Sequence, residues 1–396
     1  MENRSKLLLP EVQEFIIKNT DQDVSKLSFA KNPFPEIDYK TVLNQIAARN
    51  KSKNKLPTWY NCFNCIYPNK VSIEQTSSEI TAQYKSEIVS GESLIDLSGG
   101  FGVDDYYFAK KIKQVYHCEI NTELSAIVKH NFEQLEVSNV LCIAGDSYET
   151  LKNLNQQYDW IYIDPSRRNE VKGKVFMLKD CVPNVPELQS FYYQYCSKII
   201  IKTAPLLDIS AGLSELQNVK NIHIVAVENE VKELLWELHS DYNDAPSIKC
   251  INFNKEKKEV FEYRWNSEID INYTLPKTYL YEPNSSLLKS GGFNHIASQF
   301  SLEKLHVNSH LYTSDNVIDF PGRVFKIDTI LNYSKKEIKE FIENKKMNVT
   351  VRNFPESVES LRKKLKIKDG GDQYCFFTTD LNKNKIVLLC TKIITQ

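Results

Sequence analysis

Strand-like and helix-like segments alternate between residues 93 and 227, which predicts an α/β protein with a mostly parallel sheet and helices on both faces. Two further observations support that class. Ile199-Ile200-Ile201 is a continuous apolar run of the kind that burial on both faces requires, and a glycine-rich turn follows the first strand. A helical N-terminal segment precedes this core and a small α+β unit follows it. At 396 residues the chain exceeds the usual size of one hydrophobic core, so more than one domain is expected. The expected divisions are 1–72, 73–266 and 267–396.

Composition bounds the function. The 50 Lys+Arg against 51 Asp+Glu leave a net charge of -1, so any polyanion-binding surface must be local. Leu7-Leu8-Leu9 is too short an apolar run for a secretory signal, and no stretch approaches the roughly 18 apolar residues of a membrane span. Nine cysteines are scattered singly, which fits reduced thiols and a cytoplasmic location. Cys62-Phe63-Asn64-Cys65 is the one pair at metal-ligand spacing, but it lacks a second Cys/His pair. His117 and Cys118 are adjacent in a predicted strand and point to opposite faces. The two thiols are read as small buried side chains, and no metal is expected.

The N-terminal segment carries helical apolar spacing over 10–18 and 39–49. A basic turn over 51–55 leads into Trp59, Tyr60, Phe63 and Tyr67, aromatics dense enough to form a small core rather than a nucleic-acid surface. Ser72-Ile73-Glu74-Gln75 has the capping-box pattern, so a helix is expected from there to about 88, with Gln75, Ser78 and Thr81 on its polar face.

Strands are expected at 94–97, 114–119, 140–144, 160–164, 198–202 and 222–227. Helices are expected between them at 103–111, 122–135, 147–154, 185–195 and 209–217. Residues 230–239 fit either a helix or the return strand of a hairpin, since Val231, Leu234, Leu235 and Leu238 keep a helical spacing. A charged turn over 254–259 joins 248–253 with 260–265. Beyond 267 the order over 323–331, 335–344, 348–354, 357–365, 373–379 and 385–391 reads strand, helix, strand, helix, strand, strand, as in a small α+β sandwich. Residues 321–368 hold 13 Lys+Arg and 6 Asp+Glu, a local net of +7.

The chemistry concentrates at Ser93-Leu94-Ile95-Asp96-Leu97-Ser98-Gly99-Gly100-Phe101-Gly102. Only 12 residues of the chain are Gly, and three fall within four positions here, so something approaches this backbone closely. A dinucleotide fingerprint needs a further glycine where this chain has Asp105, preceded by Asp104. Two carboxylates at a helix N-terminus repel a pyrophosphate. A cationic adenosine cofactor fits better, and S-adenosylmethionine carries both an ammonium and a sulfonium. Asp96 and Asp104 suit its amino-acid portion, and Gly100 and Gly102 admit it to the backbone. Glu119, at the end of the second strand, suits the ribose hydroxyls. Asp146, in Ala144-Gly145-Asp146-Ser147, suits the adenine amine. Ligands bind at the carboxyl ends of strands in open α/β sheets, and Asp164 puts an acid at the end of the fourth strand as well.

With Asp164-Pro165-Ser166-Arg167-Arg168 the segment 93–168 resembles the class I S-adenosylmethionine-dependent methyltransferases, which implies a Rossmann-like, seven-stranded core. Their turn is Asp-x-Gly-x-Gly-x-Gly, and here Ser98 stands at the first glycine. In members that methylate nucleobase amino groups, the fourth motif is Asp/Asn-Pro-Pro-aromatic. Here Asp164-Pro165 is kept while Ser166-Arg167 replaces the last pair. Arg167 has a planar guanidinium suited to stacking on a base or pairing with a phosphate. The whole chain is similar to a bacterial group of such enzymes with a THUMP-like C-terminal domain, on the strength of Glu74-Gln75-Thr76-Ser77-Ser78-Glu79, the Asp164 motif and Leu305-His306-Val307-Asn308-Ser309-His310-Leu311-Tyr312. That resemblance implies an RNA substrate, tRNA or rRNA, and direct transfer to a nucleobase nitrogen or oxygen, with nitrogen favoured. Asp164, Pro165, Arg167 and Arg168 are the expected catalytic residues. Asp96, Ser98, Gly100, Gly102, Asp104, Glu119, Asp146 and Ser147 are the expected cofactor residues. Lys202-Thr203-Ala204-Pro205 is expected along the far wall, and the cations of 360–368 are candidates for phosphates. A small-molecule or protein acceptor, and a non-catalytic RNA-binding protein on the same fold, remain open at this point.

Overall fold

The computed structural model describes residues 2–68, 70–167, 177–255 and 257–393. The chain forms two compact units, 1–219 with 235–243 and 220–234 with 244–396. Among the described residues no helix is long and apolar enough to cross a membrane.

In the first unit the expected alternation becomes strands β1 (Gly91–Asp96), β2 (Ile112–Glu119), β3 (Val140–Ala144), β4 (Trp160–Ile163) and β5 (Lys198–Thr203). The strands β6 (Val219–Val227) and β7 (Glu230–His239) complete the expected seven. The strand order in the first unit is β7-β5-β4-β1-β2-β3, and β1 pairs in parallel with both β2 and β4. All of β4, and every residue of β5 except Lys198 and Lys202, is buried, as a sheet covered on both faces demands. β7 settles the ambiguity at 230–239 in favour of a strand. Glu228 and Asn229 both take positive φ, 49° and 61°, so a two-residue hairpin turn returns the chain before a helix can start.

The N-terminal helices Tyr39–Lys55 and Pro57–Asn61 pack on the segment that follows the glycine turn. Trp59 and Tyr67 are buried beside Phe101, Val103 and Phe132, with the Trp59 and Phe101 rings 6.0 Å apart. Trp59 and Tyr67 thus join a core, whereas Tyr60 is only partly buried and Phe63 is exposed, so the expected cluster is corrected to these two rings. The expected single helix from Ser72 is corrected. The helix Lys70–Gln75 stops, and Ser78 caps a second helix, Glu79–Ile88, by accepting from the Thr81 amide. The break frees Ser77 to bond elsewhere, as described below.

In the second unit β6 pairs in parallel with β8 (Ser247–Phe253), which forms an antiparallel hairpin with β9 (Lys258–Arg264). These two strands are additional to the expected seven. The C-terminal sheet contains β10 (Tyr279–Pro283), β11 (Glu303–Lys304), β12 (Tyr312–Ser314), β13 (Gly322–Asn332), β14 (Asn348–Val351), β15 (Gln373–Thr379) and β16 (Lys385–Ile393). Their order is β11-β12-β10-β13-β16-β15-β14. The helices Lys335–Phe341 and Val358–Leu365 bury Ile338, Leu361 and Leu365 against it, as the strand-helix order predicts.

Candidate active site

The carboxyl ends of β1, β2, β4 and β5 converge in the first unit. The glycine turn leaves β1 and its three glycines do different things. A Cβ at Gly99 would lie 2.2 Å from the His117 ring, and one at Gly102, where φ is +73°, would lie 2.7 Å from Phe132. Gly99 and Gly102 therefore let the turn sink onto β2 and the helix Thr122–Gln134. Gly100 faces the other way: a Cβ there would meet only the Ser98 carbonyl oxygen, at 3.6 Å. That outer face of the turn is open to a ligand.

Ser98, the irregular position, is a bracket. Its amide and Oγ donate to Asp96 Oδ1 at 2.7 and 2.9 Å, and its Oγ accepts from the Asp164 amide at 2.6 Å. One hydroxyl thus ties the end of β1 to the loop after β4. Asp96 is 2% exposed and supports the turn from inside. Burial, and then the charge of Asp105, pushes its carboxyl well above the usual range. Asp105 is fully buried and raised for the same first reason, with the Asp104 charge adding to it. Its Oδ2 lies 2.6 Å from His117 Nδ1, and burial lowers the His117 pKa. The second acid of the turn is therefore turned into the core under Gly99.

Asp104 takes a different direction. Its Oδ2 accepts from Ser77 Oγ at 2.9 Å and Tyr162 Oη at 2.8 Å, and Lys85 Nζ stands 3.2 Å from Oδ1. Burial opposes its charge, but Lys85, Lys202 and the two hydroxyls outweigh that and hold its carboxyl below the usual range. Lys85 is completely buried and also donates to Ser77 Oγ at 3.1 Å. Ser77, Lys85 and Tyr162 were not expected from the sequence. The available signal was a lysine on the buried face of its helix, beside Thr81 and Ala82.

Asp164 is half-buried and ion-paired with Lys202, across the ends of β4 and β5. Pro165 is buried behind it. Ser166 and the Arg167 backbone pair with Cys181–Val182 in a two-residue antiparallel ladder. The Arg167 side chain and Arg168 lie outside the described residues. Thr203, expected on the wall, is instead 3% exposed and accepts from Trp236 Nε1 at 3.0 Å. Glu119 accepts from the Gly100 amide at 3.0 Å and the Asn121 amide at 2.7 Å, one bond to each oxygen. Asp146 is exposed and caps the helix Ser147–Leu154 through the Glu149 amide, placing Ser147 at its first turn. Cys62 and Cys65 are free thiols, and the described residues contain no group of His, Cys, Asp and Glu fit for a metal.

Two family profiles match the C-terminal part, a ferredoxin-like domain over 279–321 and a THUMP domain-like unit over 322–392. A crystal structure from Porphyromonas gingivalis W83, of a protein to which methyltransferase activity is ascribed, matches the whole chain. Identity is 32%, the TM-score is 0.88, and 98% of this chain and 99% of that one are covered. The chain belongs to that methyltransferase family, with its THUMP-like C-terminal domain. Two further solved structures are similar over part of this chain. One is M. capricolum TrmK in complex with S-adenosyl-homocysteine, with 16% identity, a TM-score of 0.32, and 45% of this chain and 71% of that one covered. The other is an rRNA methylase from Streptococcus thermophilus, with 13% identity, a TM-score of 0.29, and 40% and 93% covered. No curated protein matches the sequence.

The residues of this methyltransferase-family site fit a cationic, hydroxyl-bearing cofactor. Glu119, Asp146 and Asp164 are acceptor-only groups when ionised. The outer face of Gly100 is open.

Proposed function

We propose that the protein transfers a methyl group from S-adenosylmethionine to a nucleobase nitrogen of structured RNA, tRNA or rRNA. Residues 73–266 carry the chemistry and residues 267–396 engage the RNA. The observation that carries this reading is the ion-paired Asp164 next to an open, acid-lined glycine turn, in a chain of the methyltransferase family. The THUMP domain-like match and the local charge of +7 over 321–368 support an RNA partner.

When bound, the cofactor supplies a methyl group already activated on a sulfonium. The protein's part is to position, desolvate and handle a proton. Gly100, Glu119, Asp146 and Ser147 hold the cofactor, Asp104 with Lys85 anchors the start of the helix behind it, and Asp96, Ser98 and Gly102 fix the turn. The Asp164 carboxylate accepts a hydrogen bond from the acceptor nitrogen and takes its proton, while Lys202 and the bracket from Ser98 keep that carboxylate in place. Pro165 stiffens the loop, and Arg167 and Arg168 orient the base or its phosphate.

The test is mass spectrometry of nucleosides from total RNA of cells with and without the gene, alongside calorimetry with S-adenosylmethionine. One methylated nucleoside should disappear and return with the wild-type gene but not with Asp164→Ala. Cofactor binding with an unchanged nucleoside profile would redirect the reading to a small-molecule or protein acceptor. An absence of binding at millimolar cofactor would favour a non-catalytic RNA-binding protein.

A further inference from the structure

A cavity of about 680 Å³ lies within the second unit, and none of the residues given a catalytic or cofactor role lines it. Its size falls in the range of small-ligand sites. Trp265, Tyr273, Phe293, Lys304 and His310 line it. Lys304 ends β11 and is 2% exposed. Among the described residues its ammonium has one hydrogen bond, to the Val307 carbonyl oxygen at 3.1 Å, and no carboxylate at ion-pair distance. An ammonium has three donors, and a buried charge without a counterion is costly. Burial lowers its pKa to about 8, which still leaves it mostly charged at neutral pH. The faces of Phe293 and Tyr273, 5.6 and 5.9 Å away, are weak substitutes for an anion.

His310 presents a second unmet demand. Its ring stacks on Phe293 with centroids 3.5 Å apart and planes 18° from parallel, and its backbone takes φ +52°. Its Nδ1 is buried and has no hydrogen-bond partner. Burial first, and then the charges of Lys304 and Arg352, lowers its pKa to about 4, so the ring is neutral at pH 7. Buried polar atoms in folded proteins are nearly always satisfied. Tyr263, also in the lining, packs directly on the backbone of Gly292, where a Cβ would lie 2.5 Å from its ring. The mouth carries the exposed acids Glu268 and Asp270, which disfavour an anion there and favour hydroxyls.

The geometry points to a binding site for a phosphorylated nucleoside. We propose that the phosphate sits deep on Lys304, the base stacks on the Trp265 ring with an edge atom bonded to His310 Nδ1, and the ribose hydroxyls face Glu268 and Asp270. Single nucleotides stack on aromatic side chains in this manner, whatever their base. The ligand is either a splayed-out nucleotide of an RNA chain or a free 5′-mononucleotide. The proposal stands apart from methyl transfer, because binding is read without a methyl donor.

The test is calorimetry of the full-length protein with AMP, GMP, CMP and UMP, the matching nucleosides, inorganic phosphate and a single-stranded pentaribonucleotide. At least one mononucleotide or the pentanucleotide should bind, with the nucleosides and inorganic phosphate at least tenfold weaker. Lys304→Met should weaken binding at least tenfold, and Trp265→Leu, which leaves the buried cation in place, should weaken it several-fold with an unchanged melting curve. Binding of the pentanucleotide alone assigns the pocket to RNA. Mononucleotide binding that the pentanucleotide does not displace assigns it to a free nucleotide. The proposal is overturned if nothing binds at millimolar concentration, if inorganic phosphate binds as tightly as nucleotides, or if Trp265→Leu, folded as wild type, changes nothing.

Discussion

Gly99→Ala is the sharpest probe of the glycine turn. An alanine Cβ would lie 2.2 Å from His117 Cε1 and 2.4 Å from Nδ1, whereas non-bonded carbons rest about 3.5–4.0 Å apart. Turn and ring must therefore separate by more than 1 Å. The ring has little freedom to move. It is fully buried, its Nδ1 is 2.6 Å from Asp105, and its centroid is 6.3 Å from that of Phe132, edge to face. Overpacking a core costs about 1–3 kcal/mol, and a pinned ring argues for the upper half of that range. At roughly 2–4 °C per kcal/mol for a unit of this size, Gly99→Ala should lower the melting temperature by about 4–12 °C. Calorimetric affinity for S-adenosylmethionine should fall with it, since the turn is pushed outward. The double variant Gly99→Ala with His117→Ala should lose less than the two single variants added together, because the second change removes the colliding ring. A Gly99→Ala protein that melts and binds as wild type would refute the claim that the turn is seated on His117.

Other predictions follow from the same groups. Lys85→Met strips the buried Asp104 of its nearest cation and should cost about 3–5 kcal/mol in urea unfolding. Asp164→Asn should reduce methyl transfer by about 10²-fold or more, measured with cofactor saturating, if this carboxylate takes the proton. Asp96 and Asp105 have raised pKa values, so the folded state holds more protons than the unfolded one above about pH 4, and their contribution to stability falls as pH rises. His117, lowered, works in the opposite sense below about pH 6.5. Asp105→Asn should therefore gain stability relative to wild type as pH climbs from 4 to 8, and a pH-independent difference between their urea midpoints would count against the buried acid pair. Cys62 has a thiol lowered to about 7, chiefly by the hydrogen bond from Cys65, and should alkylate at pH 7 roughly fivefold faster than an unperturbed thiol.

What the sequence made legible follows its periodicities. The strand and helix alternation over 93–227 and the six-element order over 323–391 appear in place, because each segment is long and regular enough to carry its own period. The capping box misplaced a helix start, because Ser72 and Ser78 are both plausible caps and only the Ser77–Asp104 bond selects the second. β7 was ambiguous because Val231, Leu234, Leu235 and Leu238 satisfy both periods, and the Glu228-Asn229 turn decides. The elements from Tyr279–Pro283 to Tyr312–Ser314 run only two to seven residues and leave no period to read. In the site, acids at strand ends were visible, and Asp164 does meet Lys202. Which acids face inward was not visible, since that depends on His117 and Lys85, partners distant in sequence and contributed by other elements.

That partition of the acids bears on how the site is built. Asp96, Asp104 and Asp105 lie within ten positions, and left ionised and unpaired they would repel one another and their solvation would be lost. The chain removes this conflict in two ways. Asp105 and Asp96 are buried under Gly99 beside His117, and burial first disfavours the charged form of each. Asp104 keeps its charge because Lys85, Ser77 and Tyr162 surround it. Ser98 joins the two arrangements, touching buried Asp96 on one side and the backbone of Asp164 on the other. A glycine at 98, as in the usual form of this turn, has no hydroxyl for either bond. Ser98→Gly should therefore loosen the Asp164 loop more than the turn itself. It should lower the rate of transfer more than it weakens cofactor binding, and an equal loss in both would mean that the bracket does not position Asp164.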